Sequence, residues 1–510
     1  MNFMSGLKAE TNDGENNISV TENGALGYRT TGRALLDLNF AVSSLRTRPD
    51  GDVTGMFAAA CAEDLDMAIV WMFMSRDPRG GMGERRLFRL CFRYLAREFP
   101  EKAVKLVPLI PEYGRWDDVV DLYFNVMNGA VRDALFGLIS ARLNEDLVAL
   151  RDNRPVSLCA KWLPSENASS LLTRADAREL QRRLGVTPRR YRIMLSSLRR
   201  RIDVVERKMS ANRWGDINYE GVPSRANLNY RDAFLRHDTD RRNDFLASLK
   251  KDPSKIKASV LFPHEIVSSY NVHRWQHTNL DETLEALWNN LPNVFPGEAP
   301  NILVVADGSG SMFGTYGDRA PAPIDVANAM AIYFAEKLPA QYHNKYITFS
   351  SRPQYVDLSG ATTLLGKLEF ALEHDECSNT DIHKVFQLIL NTAVNNHLQQ
   401  DELPETVLII SDMEFDAAAY VRSRPDETLF QTIRHEYADA GYQVPHLAFW
   451  NVCSRTGTIP VRENPLGVTL VSGFSPTVMR MVISGKLDPY DAMVDTLNDH
   501  RYDAVREALQ

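Results

Sequence analysis

A change of pattern near residue 300 constrains the fold of this 510-residue chain more than any other feature. After it, short apolar runs alternate with segments of helical periodicity, which predicts a doubly wound, mostly parallel α/β sheet. We expect strands at residues 302–306, 346–349, 407–410, 446–450 and 468–471, and helices at 323–338, 381–396, 428–440 and 475–483. Ligands of such sheets bind at the carboxyl ends of the strands, so polar residues at those ends are candidates for a site.

The chain before this change has the periodicity of helices. Apolar residues recur at helical spacing from about residue 30, and no run before residue 301 alternates at period two over the length of a strand. We predict a flexible tail at 1–28, an all-α domain of degenerate HEAT-like repeats at 29–295, and the α/β domain at 296–510.

The composition excludes several classes of protein. With 44% hydrophobic and 24% charged residues, the chain has the composition of a globular protein. We see neither an apolar stretch of about 18 residues that could span a membrane nor a secretory signal, so we expect a cytoplasmic location and no membrane partner. Five scattered cysteines without a CxxC pair disfavour a disulfide framework and a zinc ribbon. The net charge of −8 disfavours nucleic-acid binding over the whole surface but permits a local basic region.

A cluster of oxygen ligands is predicted where the first strand of the sheet ends. Asp307, Ser309 and Ser311 stand at alternate positions, and Gly308 and Gly310 between them permit a tight loop. A carboxylate and hydroxyls without His or Cys suit Mg²⁺, or another divalent cation such as Mn²⁺ or Ca²⁺, better than Zn²⁺. The pattern also fits a helix cap or a turn. A phosphatase-type aspartyl nucleophile fits less well, because a second carboxylate that could act as general acid is missing.

Two later residues extend this cluster. Asp412 ends another apolar run, and Thr380 precedes a predicted helix. The set resembles the metal-ion-dependent adhesion site of the von Willebrand factor A domain, whose motif is Asp-x-Ser-x-Ser, a later Thr and a later Asp. The resemblance implies direct or nearly direct ligation of Mg²⁺ by Ser309, Ser311 and Thr380. It also implies that Asp307 and Asp412 act largely through waters and that an open position accepts a carboxylate from a protein partner.

A basic stretch lies in the helical half. Between Arg174 and Arg213 the sequence has thirteen Lys and Arg against four Asp and Glu, a density that can neutralise phosphates or form a solvated helix surface. The candidate RNA contacts in this stretch are Arg189, Arg190, Arg192, Arg199, Arg200, Arg201, Arg207 and Lys208. Tyr191, Trp214 and Tyr219 could stack on unpaired bases or serve as buried anchors.

A glycine-rich segment at residues 76–86 adds Arg79, Arg85 and Arg86 to the candidate RNA contacts. Its glycines can leave backbone N–H groups available for an anion near the start of a helix. It is not a P-loop, because no Gly-Lys-Ser/Thr follows. The alternative is a turn between two helices with charged flanks.

The chain resembles the family known as domain of unknown function 2828, which pairs a helical region with a C-terminal von Willebrand factor A domain. The segments that carry this resemblance lie at residues 76–86, 111–118, 160–164, 191–200 and 219–224. The architecture is similar to that of the TROVE-domain Ro autoantigen family, whose helical ring binds small noncoding and misfolded RNAs. The resemblance implies a non-enzymatic RNA-binding protein, part of a ribonucleoprotein, that binds single-stranded RNA ends. The alternative is a metal-dependent protein-interaction scaffold that binds no RNA.

Overall fold

The computed structural model describes the chain except for residues 1–16, 23–25, 203, 272–277, 296, 298–299, 315–320, 340, 376–379, 416–428, 461–467, 485 and 487. Its strands are β1 Ile18–Val20, β2 Leu26–Tyr28, β3 Ile302–Asp307, β4 Lys345–Phe349, β5 Tyr355–Asp357, β6 Thr406–Ser411, β7 His446–Asn451 and β8 Val468–Ser472. Its α-helices are α1 Ala34–Phe40, α2 Val42–Leu45, α3 Asp50–Glu63, α4 Leu65–Arg76, α5 Arg85–Glu98, α6 Pro100–Leu106, α7 Ile110–Tyr113, α8 Trp116–Asn125, α9 Gly129–Arg151, α10 Cys159–Trp162, α11 Leu171–Arg183, α12 Pro188–Ile202, α13 Val205–Ser210, α14 Ser224–His237, α15 Thr239–Leu249, α16 Pro263–Tyr270, α17 Glu282–Asn289, α18 Pro323–Ala335, α19 Leu364–Glu373, α20 Ile382–Asn395, α21 Leu429–Asp439, α22 Met479–Val482, α23 Pro489–Leu497 and α24 Asp503–Leu509.

Two compact units divide the chain, and each combines distant parts of the sequence. The helical unit contains Asp66–Lys251 and His500–Gln510, and the α/β unit contains Met1–Leu65 and Asp252–Asp499. A helical half and an α/β half are therefore both present, as the sequence predicts. None of the helices in the described part of the chain is long and apolar enough to cross a bilayer.

The unit boundaries differ from those drawn on the sequence at residues 29–295 and 296–510. Helices α1 and α16 precede residue 296 yet belong to the α/β unit, where α1 packs against β8 and α16 against α18. Helical periodicity shows which face of a helix is buried but not which element buries it. The partner of each apolar face is decided by the tertiary structure.

The expected tail at residues 1–28 is structured in its described part. Strands β1 and β2 pair antiparallel, with Ile18 opposite Tyr28. The Tyr28 N–H donates to the Ile459 carbonyl at 2.8 Å and the Ile459 N–H donates back to the Tyr28 carbonyl at 2.8 Å, which joins the hairpin to the α/β unit. The prediction that no strand precedes residue 301 is wrong here, because three-residue strands are too short to show alternation.

The helical unit contains no strand among its described residues. Its amphipathic helices bury one face, as in α5, where Leu87, Cys91 and Leu95 are inside and Arg85 and Arg97 are exposed. A buried ion pair joins α4 to α8, with Arg76 Nη2 at 2.7 Å from Asp118 Oδ2. The other oxygen of Asp118 accepts from Arg89 Nε at 2.8 Å. A buried charge is tolerated when it is paired and hydrogen-bonded in this way.

The sheet of the α/β unit has the order β5-β4-β3-β6-β7-β8. All neighbouring strands are parallel except β5, which is antiparallel to β4. The five predicted strands are confirmed, while the three-residue edge strand β5 and the helices α19 and α23 were not predicted. The predicted helix at 475–483 is instead a 3₁₀ turn followed by α22. This is the predicted doubly wound, mostly parallel sheet with helices on its faces.

Helix α18 is the central helix of this unit. All thirteen of its residues are buried, and it packs against β3, β6 and α16. The other face of the sheet is covered by α20 and α21, whose apolar side chains, including Phe386 and Tyr437, join the core under Ile409 and Phe449. Helices therefore cover both faces of the sheet, as is usual for parallel strands. This packing holds in place the strand ends that carry the candidate site.

Candidate metal centre and basic helical surface

The candidate metal centre lies at the point where the winding of the sheet reverses. Strand β3 lies between β4 and β6, and the chain runs outward from β3 in one direction before returning to its other side. Asp307 is the last residue of β3, and Asp412 directly follows β6. The carboxyl ends of these two parallel strands form the crevice in which doubly wound sheets bind ligands.

Asp307 is buried, with 1% of its surface exposed. Its Oδ1 accepts from the Ser309 N–H at 2.9 Å, and its Oδ2 accepts from the Ser411 hydroxyl at 2.6 Å. Burial, and then the charge of Asp412, raise the pKa of Asp307 to about 7. Two buried carboxylates, of which one raises the pKa of the other, are unfavourable as a pair of anions, so a cation near them would be stabilised.

Asp412 is equally buried and has three different donors. Its Oδ1 accepts from the Glu414 N–H at 3.2 Å, its Oδ2 accepts from Arg455 Nη1 at 3.1 Å, and the Ser311 hydroxyl also hydrogen-bonds the carboxylate. Burial raises the pKa of Asp412, and Arg455 opposes that rise. Met413, next in the chain, has a φ of +64°, a left-handed conformation that is rare outside glycine and concentrates at functional sites.

The two serine hydroxyls of the motif lie beside these carboxylates. Ser309 Oγ and Ser311 Oγ are 3.1 Å apart, where the loop turns into a 3₁₀ helix at Gly310–Phe313. Thr380 is buried and precedes Asp381, whose side chain accepts from the Lys384 N–H and begins α20. Crossover helices run antiparallel to the strands of a parallel sheet, so Thr380 lies at the same edge as Asp307.

This donor set fits a hard divalent cation. Two carboxylates and three hydroxyls supply only oxygen, as Mg²⁺, Mn²⁺ and Ca²⁺ prefer, and both carboxylates are buried, with the charge of Asp412 adding to the rise in the pKa of Asp307. Among the described residues there is no group of three or more His, Cys, Asp or Glu placed to hold a metal. The candidate set has only two such residues, Asp307 and Asp412, and its other three members are hydroxyls.

Three charged residues at this edge were not predicted from the sequence. Glu414 is buried and accepts from the backbone N–H groups of Arg455 at 2.8 Å and Thr456 at 2.9 Å. Asp375 is held by Asn328, whose Nδ2 lies 3.3 Å from its Oδ2, and burial raises its pKa to about 6. The available signal was position: Glu414 and Arg455 each follow a buried strand within four residues, at the edge that carries the ligands.

The basic stretch divides between exposed and internal arginines. Exposed side chains belong to Arg189, Arg190, Arg192, Arg200, Arg201 and Arg207, and Lys208 is half-buried. Some of these have partners: Arg192 pairs with Glu166 at 3.1 Å, and Arg201 donates to the backbone carbonyls of residues 153 and 154. Helix α12 thus exposes several guanidinium groups to solvent.

Arg199 does not belong to this exposed set. Its guanidinium donates to the carbonyls of Ala160 at 2.8 Å and Leu163 at 2.6 Å and to the Ser165 hydroxyl at 2.6 Å. Burial lowers its pKa. Arg199 therefore connects α12 to the segment after α10, and we remove it from the candidate RNA contacts.

The glycine-rich segment after α4 already contains its own anion. The Asp77 carboxylate accepts from the N–H groups of Arg79 at 3.0 Å and Gly80 at 3.1 Å, and it pairs with Arg501. The interpretation as a turn between helices is correct, and the expected external anion site is filled by Asp77. Arg79 and Arg85 are exposed at its ends and Arg86 is half-buried, with Arg85 3.6 Å from Asp117.

Two family models match the chain, one on each side of the change of pattern near residue 300. Residues 129–293 match the family described as Domain of unknown function (DUF2828). Residues 301–507 match a second family, described as Domain of unknown function (DUF7788). The chain is also similar to an uncharacterized protein, L728, of Acanthamoeba polyphaga mimivirus, at 28% identity over 522 residues that cover 95% of this chain and 88% of that protein.

The DUF2828 match confirms one part of the resemblance noted in the sequence. It includes the segments at 160–164, 191–200 and 219–224 and the whole basic stretch, whereas the segments at 76–86 and 111–118 lie outside it. The resemblance implied one family over both halves, whereas residues 301–507 of the α/β half match a separate family description. Neither description names a ligand or an activity.

Two of the three aromatic residues that the sequence named as candidates for stacking are buried. Tyr191 is fully buried and its hydroxyl donates to the Pro164 carbonyl at 2.9 Å. Tyr219 is buried against Phe245, with ring centroids 5.6 Å apart. Trp214 is half-buried and stacks on His237 at 4.4 Å. Of the three aromatic residues named from the sequence, Tyr191 and Tyr219 are core anchors.

Charge is distributed very unevenly between the two units. The helical unit contains 37 Lys and Arg against 26 Asp and Glu, a net charge of +11. The α/β unit contains 21 against 40, a net charge of −19. The overall net charge of −8 is therefore the sum of a strongly basic unit and a strongly acidic unit.

Proposed function

We propose that this chain is a non-enzymatic RNA-binding protein of Ro-like architecture. Its helical unit binds small or misfolded RNA, and its α/β unit is a von Willebrand factor A-type domain with a divalent-cation site. The observation that carries the proposal is the division of charge, +11 against −19, between the two units. A clustered basic surface in an acidic protein is the electrostatic footprint of nucleic-acid binding.

The exposed arginines of α12 would contact phosphates rather than base edges. Arg189, Arg190 and Arg200 are all exposed, and their guanidinium groups can each displace a condensed counterion from RNA. The half-buried ring of Trp214 is the candidate for stacking on an unpaired base. Affinity should then fall steeply with salt and depend weakly on sequence.

The test measures binding of a fluorescent single-stranded RNA by anisotropy from about 50 to 300 mM salt. The triple variant Arg189→Gln, Arg190→Gln, Arg200→Gln should lose roughly tenfold in affinity at low salt and show a shallower salt slope. A matched control replaces the exposed Arg352, Arg434 and Arg480 of the α/β unit by Gln, with the same change in net charge. Equal losses in both variants, or no binding by the parent, would refute the proposal.

In the proposed metal centre, Ser309, Ser311 and Thr380 would hold Mg²⁺, or Mn²⁺ or Ca²⁺, and Asp307 and Asp412 would hold its waters. The bound cation would supply an open position for a carboxylate of a protein partner. The hydrogen bonds from Ser411 and from the Ser309 N–H keep Asp307 in place for this role. The cytoplasmic location expected from the sequence belongs to the same proposal.

The second candidate function is a metal-dependent protein-interaction scaffold without RNA. It is favoured by the oxygen-only site at the carboxyl edge of the sheet, which is independent of the basic surface. This function requires Mg²⁺-dependent capture of a protein partner that is lost in Asp307→Ala. RNA binding by the same variant distinguishes the two functions, because the proposed RNA contacts belong to the helical unit and the proposed metal ligands belong to the α/β unit.

A further inference from the structure

Arg455 lies between two carboxylates at the edge of the candidate metal centre. Its Nη1 is 3.1 Å from Asp412 Oδ2, and its Nη2 is 2.8 Å from Glu22 Oε2. The Arg455 side chain is 16% exposed, whereas the Glu22 side chain is 49% exposed. The guanidinium is therefore mostly buried, whereas about half of the Glu22 side chain with which it pairs is exposed.

The backbone around this arginine is fixed by Glu414, two residues after Asp412. Glu414 accepts from the Arg455 N–H at 2.8 Å and from the Glu22 N–H at 2.8 Å. The Thr21 hydroxyl donates to the Phe415 carbonyl at 2.6 Å. The segment after Asp412 thus also holds Thr21 and Glu22, which follow β1, so the position of Arg455 does not depend on surface side chains alone.

We propose that Arg455 is a resident cation of the metal centre, which compensates the charge of Asp412 in the metal-free protein and lowers the affinity of the site for a divalent cation. The inference rests on the proposed metal centre. A guanidinium keeps its charge at all physiological pH values, so it repels a divalent cation placed beside Asp412. Glu22 moderates this effect because it shares the guanidinium with Asp412.

The two neighbours of Asp412 therefore have opposite effects on metal affinity. Arg455→Gln removes the repelling charge and should bind the cation roughly tenfold more tightly, since one close like charge in a partly buried site contributes at least about 1.4 kcal/mol. In Glu22→Gln, Asp412 is the remaining carboxylate of this pair that binds the Arg455 guanidinium. This variant should bind the divalent cation several-fold more weakly than the parent. Arg455→Lys keeps the charge and should stay close to the parent.

The experiment titrates MnCl₂, and separately MgCl₂, into the EDTA-treated full-length chain by isothermal calorimetry. Arg480→Gln is the matched control, because Arg480 pairs with Asp499 at 3.5 Å on the surface of the same unit. Thermal unfolding in EDTA is the second readout. Without metal, Arg455→Gln should unfold at a lower temperature than the parent, and saturating Mn²⁺ should remove that difference.

The outcomes separate this inference from the proposed metal centre. If the parent binds Mn²⁺ and Asp307→Ala does not, but Arg455→Gln binds no more tightly than Arg480→Gln, the metal centre stands and the role of Arg455 is refuted. If Glu22→Gln and Arg455→Gln change affinity in the same direction, the role is also refuted. If neither the parent nor Arg455→Gln binds metal, both the metal centre and the inference fail.

Discussion

At the residue scale, the candidate site is a pair of buried carboxylates that the fold holds in an unfavourable state. Asp307 and Asp412 are each 1% exposed, and burial raises the pKa of both. Hydrogen bonds from Ser411 and from the Ser309 N–H, together with Arg455, offset only part of this cost. Buried carboxylates with a raised pKa are typical of sites that bind a ligand.

The raised pKa of Asp307 predicts a pH dependence of stability in the metal-free protein. Because the folded pKa lies above the ordinary value, the folded state binds more protons than the unfolded state between about pH 4 and pH 7, and stability falls as the pH rises through that window. Asp307→Asn removes this contribution. The free energy of unfolding of Asp307→Asn, minus that of the parent, should therefore increase from pH 5.0 to pH 7.5 when both are measured by urea unfolding in EDTA.

Asp401→Asn is the control for this measurement, because it makes the same chemical change at an exposed position. A difference between Asp307→Asn and the parent that stays constant with pH would contradict the assignment of the raised pKa to Asp307. The sequence marked Asp307 as a ligand, but its pKa depends on Asp412, which is distant in the chain.

At the scale of elements, the loop after β3 is shaped by its neighbours more than by its own sequence. A Cβ atom at Gly308 would lie 2.3 Å from Asp375 Oδ1 and 3.1 Å from the Asp375 Cα. A Cβ atom at Gly310 would meet no atom within 4 Å. Both glycines look equivalent in the Asp-x-Ser-x-Ser pattern, yet only Gly308 is required by packing.

Gly308→Ala should therefore lower the free energy of unfolding by about 1–3 kcal/mol, because Asp375 and its backbone have to move. Gly310→Ala, in the same loop, should stay within about 0.5 kcal/mol of the parent. Urea unfolding of both variants in EDTA tests this without any contribution from metal. Equal effects of the two substitutions would show that Asp375 does not confine the loop.

The longer strands were predicted from the sequence, whereas the three-residue strands were not. The five longer strands of the sheet were predicted, because each is a buried apolar run whose character is local. The edge strand β5 and the β1–β2 hairpin were missed, because three residues contain too little alternation to recognise. The hairpin is held by contacts such as the Tyr28–Ile459 main-chain pair, which a local pattern does not contain.

At the scale of the whole molecule, the helical unit is closed by the end of the chain. Asp77 has no exposed side-chain surface, and its Oδ1 accepts from Arg501 Nη2 at 2.8 Å across 424 residues of sequence. The Tyr113 hydroxyl donates to the Arg501 carbonyl at 2.6 Å. The last eleven residues therefore belong to the helical unit rather than to the sheet.

Arg501→Ala should destabilise the helical unit by about 3–5 kcal/mol, because it leaves the buried Asp77 charge without its guanidinium partner. Arg506→Ala removes a partly exposed pair with Asp503 and should cost at most about 1 kcal/mol. Urea unfolding of the full chain measures the loss of stability. Limited proteolysis of the same chain, with cleavage sites mapped within residues 66–251, shows whether the loss lies in the helical unit. Similar stability of the two variants would contradict the closing role of Arg501.

The sequence by itself determined the change from helices to a parallel α/β sheet, the strand ends at Asp307 and Asp412, and the basic stretch in the helical half. These are local properties, because periodicity and charge density are read from neighbouring residues. Only the tertiary structure decided that Arg199 is internal, that Asp77 fills the glycine-rich segment and that Arg455 joins Asp412. Each of these depends on a contact between residues that are distant in the sequence. A local pattern shows that an apolar face must be buried or that a buried charge must be paired, but it does not show which residue is the partner.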